Sequence, residues 1–153
     1  VLGIVTGMVA GLGTITPASG YVGPAGAVVI GAVAGFACFN ATQFLKRVLK
    51  VDDSLDVFPV HGVGGMLGTL AAGVFASTEL GVFKGQGFAA GITSMGQQLG
   101  VQLVGVVATV AYTAVVTFVV LKLVEALVGL RVGREDEIGG LDIALHDERG
   151  YDL

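Results

Sequence analysis

The longest apolar stretch of the chain constrains its fold most strongly. Residues 95–128 follow one helical pattern without a proline, and the only charged residues, Lys122 and Glu125, lie near its end. At about 1.5 Å per residue such a helix is about 51 Å long, whereas the hydrocarbon core of a bilayer is about 30 Å thick. We therefore expect a membrane-spanning helix that is strongly tilted or projects beyond the lipid.

The composition supports a membrane protein. Hydrophobic residues make up 54% of the chain and charged residues 13%, whereas a soluble domain carries about 25% charged residues. The 26 glycines suit closely packed membrane helices. The net charge of −4 comes largely from the C-terminal tail and does not suggest nucleic acid binding. The single cysteine, Cys38, excludes an intrachain disulfide and a multi-cysteine metal site, and we expect a packed thiol.

Four apolar segments predict four membrane helices, at about 1–16, 25–45, 57–76 and 95–128, followed by a polar tail over 129–153. The first segment is shorter than the roughly 20 residues that cross a bilayer. We therefore expect the chain to be the C-terminal piece of a longer protein.

Local signals mark the helix ends. Pro17 ends the first helix, and Pro59 fits the first turn of the third, where its missing N–H costs nothing. Thr93 or Ser94 is expected to cap the fourth helix, with Gln97 completing a capping box if Ser94 is the cap.

Basic residues predict the orientation. The 46–56 loop carries three of them, and the tail begins with Arg131 and Arg134, whereas the opposite loops contain only Lys84. The positive-inside rule therefore places the 46–56 loop and the C-terminus in the cytoplasm. A second interpretation of the basic loop is that it contacts anionic lipids.

His61 is the candidate functional residue of the membrane segments, because no other ionisable side chain occurs from residue 57 to residue 78. Ionisable groups within a bilayer are costly and usually face a bundle interior or a water-filled path. At helical spacing His61 is expected to share a face with Gly64, Gly65, Gly68 and Ala72, which another helix or a narrow path can approach closely. The alternative is a structural histidine bonded to a neighbouring backbone or hydroxyl group.

Thr16 and Asp56 are two further candidates for which a structural role is expected. The Thr16 hydroxyl can bond a carbonyl freed by Pro17 or a passing solute, and the residue type favours the carbonyl. Asp56 precedes the His61 helix, where a carboxylate is expected to hold free N–H groups, and it can position His61 indirectly.

Several motifs in order and at matching distances carry a family resemblance. They are TPASGYV at 16–22, VDDSLDVFPVHGV at 51–63, GLRV at 129–132 and Gly140-Leu141-Asp142. The chain resembles the C-terminal part of the ammonium transporter family (Amt/Rh/methylammonium permease), in its prokaryotic Amt branch. The resemblance runs from Val1 into the tail.

The resemblance implies an all-α membrane protein. The chain would hold the last four transmembrane helices of an eleven-helix inverted-repeat fold, plus a cytoplasmic tail. Family members are homotrimers in the cell membrane with one pore per subunit. Two histidines, one from each half, share a hydrogen bond in a narrow hydrophobic pore, and His61 would be the second of them. Thr16 and Val57 match positions near or lining that pore, and Asp56 matches an acidic position beside the histidine's helix.

The implied activity is transport and not catalysis. Ammonium would lose its proton at the pore entrance, and ammonia and the proton would pass separately. Dehydrating the ion in an apolar pore costs far more than passing neutral ammonia, and an imidazole can donate and accept hydrogen bonds and relay protons. The resemblance implies no cofactor and no metal. It implies a regulatory tail, including Gly140, Leu141 and Asp142, that meets a PII-class nitrogen regulator.

Other readings stay open on the sequence alone. An ammonium sensor of the same fold would have similar pore residues, and a Rh-type gas channel is a relative. A membrane-embedded enzyme would need a nucleophile or metal cluster facing His61, and the sequence offers neither.

Overall fold

The computed structural model describes residues 2–77, 79–80, 82 and 87–150. Part of the 77–94 loop, including the Lys84 used to predict orientation, lies outside the described residues, as do Val1 and residues 151–153 at the two ends. All regular elements among the described residues are helical. In chain order the α-helices are α1 (Leu2–Ile15), α2 (Pro24–Gln43), α3 (Gly64–Phe75), α4 (Met95–Leu127), α5 (Arg134–Gly139) and α6 (Leu141–His146).

Two π-helical segments lengthen α2 and α3 on either side of one loop. α2 continues through Phe44–Val48, and Phe58–Val63 leads into α3. With these extensions, Pro24–Val48 has 25 residues, Phe58–Phe75 has 18, and α4 has 33. By length and composition these three are able to cross a membrane, and the apolar stretch Gly3–Ala18 is shorter. The sequence pattern did not predict the π-helical segments.

Helix α1 ends where Pro17 removes a backbone donor. The chain tightens into a 3₁₀ turn over Thr16–Ala18. The Thr16 hydroxyl donates to the Leu12 carbonyl at 2.7 Å, and the Ser19 hydroxyl donates to the Thr16 carbonyl at 2.9 Å. The Thr16 hydroxyl therefore bonds a carbonyl of its own helix.

Small residues make up much of the interior of the α1–α3 bundle, whereas many large apolar side chains are exposed. Ala10, Ala18, Ala34 and Ala72 are buried, whereas Phe36 on α2 is 75% exposed. This arrangement is typical of membrane helices, where small residues let backbones approach and large side chains face lipid or further protein. Cys38 is buried as expected, and it packs with Ala10 and Val60 in one cluster.

Helix α4 begins at a capping arrangement close to the one predicted. The Ser94 hydroxyl accepts the Gln97 N–H at 3.3 Å. The Gln97 side-chain oxygen accepts the N–H and the hydroxyl of Thr93 at 3.0 and 3.1 Å. Ser94 is therefore the cap, and Gln97 reaches one residue further back than in a standard capping box.

The chain divides into two compact units, residues 1–108 and 109–153. In the second unit the polar tail forms the short helices α5 and α6, which are separated by Gly140 at φ +95°. The Arg131 guanidinium donates to both carboxylate oxygens of Glu137, at 2.6 and 3.0 Å. This contact lowers the pKa of the Glu137 carboxyl below its ordinary value of 4.5.

Candidate functional site

The helical segment that carries His61 starts at a carboxylate cap. Asp53 accepts the N–H of Val57 and the N–H of Phe58, each at 2.8 Å and each on a different carboxylate oxygen. Such charge-assisted bonds satisfy donors that a helix start leaves free. The expectation that Asp56 holds these groups is wrong. A turn closed by the Asp56 N–H on the Asp53 carbonyl, at 3.2 Å, places the earlier carboxylate over the helix start.

Asp56 instead connects two helical segments. Its backbone has the left-handed φ of +56°, and its carbonyl accepts the Val60 N–H at 3.0 Å. Its Oδ1 lies 2.7 Å from the Nζ of Lys46, on the π-helical end of α2. This ion pair does not meet the angular geometry of a hydrogen bond, and Oδ1 is shielded from solvent. The sequence pattern did not indicate Lys46 as the partner of Asp56, because the irregular chain over 49–55 lies between them.

His61 lies on the π-helical turn Phe58–Val63 and is exposed. A Cβ built on Gly13 would stand 3.9 Å from its Nδ1, so the absence of a side chain at Gly13 leaves room for the ring beside α1. Among the described residues the imidazole has no hydrogen-bond partner. Both ring nitrogens are therefore available to a solute or to another histidine.

The expected glycine-lined face of His61 is only partly formed. Gly64, Gly68 and Ala72 are buried, but a Cβ on Gly65 would meet no atom within 4 Å, and His61 itself is exposed. A π-helical turn closes its bonds from residue i to i+5 and so holds more residues than an α-helical turn. His61 is consequently rotated away from the buried stripe that an α-helical spacing predicts for it.

Helices α1 and α3 cross at backbone contact distance beside this turn. A Cβ on Gly64 would lie 2.7 Å from the Thr14 hydroxyl and 3.6 Å from the Cys38 sulfur. A Cβ on Gly68 would overlap the Thr14 carbonyl oxygen. Thr14 is 1% exposed, so its hydroxyl is enclosed where Gly64 meets α1. No signal in the sequence pattern distinguishes Thr14 from the other small residues of α1.

The other predicted site residues lie at helix ends. Thr16 and Val57 are exposed, at the C-terminal turn of α1 and the start of the His61 segment. Gly140, Leu141 and Asp142 lie in the second unit, where Gly140 precedes α6. Within the part of the chain that the structure describes, no three His, Cys, Asp or Glu side chains are grouped to hold a metal ion.

Comparisons with known proteins agree on one family. The model of the Ammonium Transporter Family matches residues 1–151. A protein of Methanothermobacter thermautotrophicus is 47% identical over 99% of this chain and 37% of its own length. The ammonium transporter Amt1 of Archaeoglobus fulgidus is 44% identical over 98% of this chain and 37% of its own length. This chain therefore spans little more than a third of these relatives.

A solved structure shows the same relationship in three dimensions. The crystal structure of Saccharomyces cerevisiae Mep2 superposes with a TM-score of 0.69 at 37% sequence identity. The match covers 85% of this chain and 30% of the Mep2 chain. The helical arrangement described above is thus similar to part of that protein.

Proposed function

The chain belongs to the ammonium transporter family, and from this premise we propose that the protein moves ammonium or ammonia across the cell membrane through a hydrophobic pore. Its named relatives are transporters and not enzymes. His61 is proposed to line the pore as one member of a histidine pair. Ammonium would lose its proton on entry, and ammonia and the proton would pass the pair separately.

The observation that supports this proposal best is the state of His61. The ring is exposed and unpaired among the described residues, although it belongs to an apolar helical segment long enough to cross a membrane. An ionisable side chain in that setting is costly unless it faces a water-filled path or another polar group. A neutral imidazole can donate one hydrogen bond and accept another, which suits both ammonia and a second histidine.

The neighbouring residues have proposed roles that follow from their places. Val57 and Thr16 would line the solute path. Because the Thr16 hydroxyl already donates to the Leu12 carbonyl, it would offer a passing solute only its lone pairs. Asp56 would support the pore indirectly, through the backbone of the His61 segment.

The proposal also covers the oligomeric state, the membrane orientation and the regulatory partner of the whole protein. We propose a homotrimer in the cell membrane, with the 46–56 loop and the C-terminus in the cytoplasm. The tail, including Gly140, Leu141 and Asp142, would be regulatory and would meet a PII-class nitrogen regulator. The left-handed backbone of Gly140 between two short helices supports a defined tail conformation, because such a φ favours glycine.

Electrical recording on the full-length protein tests the transport proposal. The protein is reconstituted in liposomes on a solid-supported membrane and exposed to pulses of ammonium or potassium. We expect ammonium-evoked current from the wild type, and loss of current or of selectivity over potassium in His61→Ala. The control is His146→Ala, which removes a histidine from the tail and leaves the apolar segments unchanged.

The two contrary results have different meanings. Unchanged current and selectivity in His61→Ala would refute the pore role of this residue while leaving transport intact. Absence of current in the wild type, with ammonium binding retained, would refute electrogenic transport and favour a sensor or a gas channel.

A further inference from the structure

An ion pair whose two members have unequal surroundings closes the loop between α2 and α3. Lys46 Nζ lies 2.7 Å from Asp56 Oδ1, and the side chains are 39% and 20% exposed. The Lys46 ammonium can turn towards water if its partner is removed. The Asp56 oxygen cannot, because it is shielded from solvent and has no hydrogen bond of its own.

Asp56 also belongs to the backbone of the segment that carries His61. Its carbonyl accepts the Val60 N–H at 3.0 Å, one residue before the histidine. Its left-handed φ of +56° turns the chain so that Asp53 caps the same segment. Displacing Asp56 would therefore disturb both the turn and the cap on which the position of His61 depends.

We propose that the Lys46–Asp56 pair acts as an inter-helix clasp that positions His61, and that Lys46 is a positioning residue for passage along the pore. The proposal rests on the pore role of His61 given above. The clasp ties the π-helical end of α2 to the start of the π-helical turn that carries His61. Because the ring lies directly beside α1 at Gly13, a small tilt of the turn would shift it. Small misplacements of a group that meets the substrate have large effects on rate.

The unequal burial predicts which variant is worse. Lys46→Met leaves the shielded carboxylate oxygen without its partner, which is the costly way to break such a pair. Asp56→Asn removes the charge but keeps a residue type that tolerates a left-handed φ, and it leaves Lys46 free to reach water. We therefore expect Lys46→Met to reduce ammonium-evoked current by about tenfold and Asp56→Asn to reduce it less.

The double variant and two controls make the test specific. Lys46→Met/Asp56→Asn should recover part of the current that Lys46→Met loses, because the unpaired charge is gone. Lys46→Arg should retain the current, since it keeps the charge. Lys122→Met should leave the current unchanged, because its partner Glu125 is 52% exposed and exposed pairs contribute little.

Hydrogen exchange at the amides of Val57, Phe58 and Val60 in the full-length protein provides a readout that does not need transport. Faster amide exchange in Lys46→Met that slows again in the double variant supports the clasp. If the wild type at the same time gives no current, the transport proposal is refuted and the clasp is not. The proposal is overturned if Lys46→Met carries the same current as the wild type and its amides exchange at the same rates. A Lys46→Met defect that Asp56→Asn does not relieve also overturns it, because the two residues are then not coupled.

Discussion

Replacing Gly68 with alanine is expected to push α3 away from α1. The added Cβ would overlap the Thr14 carbonyl oxygen and lie 2.9 Å from the Cδ of Pro17. Neither atom can swing aside, since one belongs to the backbone of α1 and the other to a proline ring. The two helices must therefore separate, which loosens the packing of Ala72 and Ala18 in the same cluster.

The size of the effect follows from two opposing contributions. Overpacking a well-packed site costs about 1–3 kcal/mol, and rigid neighbours place Gly68→Ala at the upper end. Alanine is better than glycine in a helix by about 1 kcal/mol, so the net destabilisation is about 2 kcal/mol. Gly65→Ala gains the same helix propensity, and no atom lies within 4 Å of the new Cβ. The two variants should therefore differ by about 3 kcal/mol.

Thermal unfolding of the full-length protein in one detergent tests this ordering. Gly68→Ala should lower the apparent Tm, and Gly65→Ala should leave it equal to or above that of the wild type. Equal stability of the two variants would refute the idea that α1 and α3 are held at backbone contact distance. Neither residue bears on proton chemistry, so the result is independent of the transport mechanism.

Two further predictions concern carboxylates outside the apolar helical segments. Asp53→Ala should destabilise the helix start by about 1–2 kcal/mol and speed hydrogen exchange at Val57 and Phe58, with Asp53→Asn intermediate; unchanged exchange would contradict the cap. The pKa of Glu137 is lowered in the folded tail by its hydrogen bond from Arg131, so the stabilisation is complete above the ordinary pKa of 4.5 and is lost as pH falls through the lower folded value. Carbon-13 titration of the Glu137 carboxyl should show this, and a midpoint at or above 4.5 would refute it.

The helices themselves follow from local signals. The start of α4 at Met95 depends on the Ser94 cap, and the end of α1 depends on Pro17. Both involve residues that are neighbours in the chain, so pattern and residue type suffice. The π-helical turn at His61 left no such signal, because Pro59 and Gly62 fit an ordinary helix start equally well.

The candidate site could be predicted from the sequence only in part. His61 could be singled out because an ionisable residue within an apolar segment is rare. The contacts of the preceding loop could not be predicted, since Lys46, Asp53 and Asp56 all lie in or beside it and the pattern does not say which carboxylate caps the helix and which pairs with Lys46. The left-handed φ of Asp56 determines which carboxylate reaches the helix start. Such a φ is difficult to predict from sequence at a residue other than glycine.

The sequence by itself determined that the chain forms apolar helices, and it marked His61 as an ionisable residue within an apolar segment. These properties depend on side chains a few residues apart, and the 3.6-residue period of the helix converts them directly into structure. Only the tertiary structure decided that Gly64 and Gly68 meet α1 while Gly65 stays open, and that Asp53 caps while Asp56 pairs with Lys46. Those outcomes depend on the rotation and approach of helices distant in the chain, where a shift of one residue or one φ changes every contact.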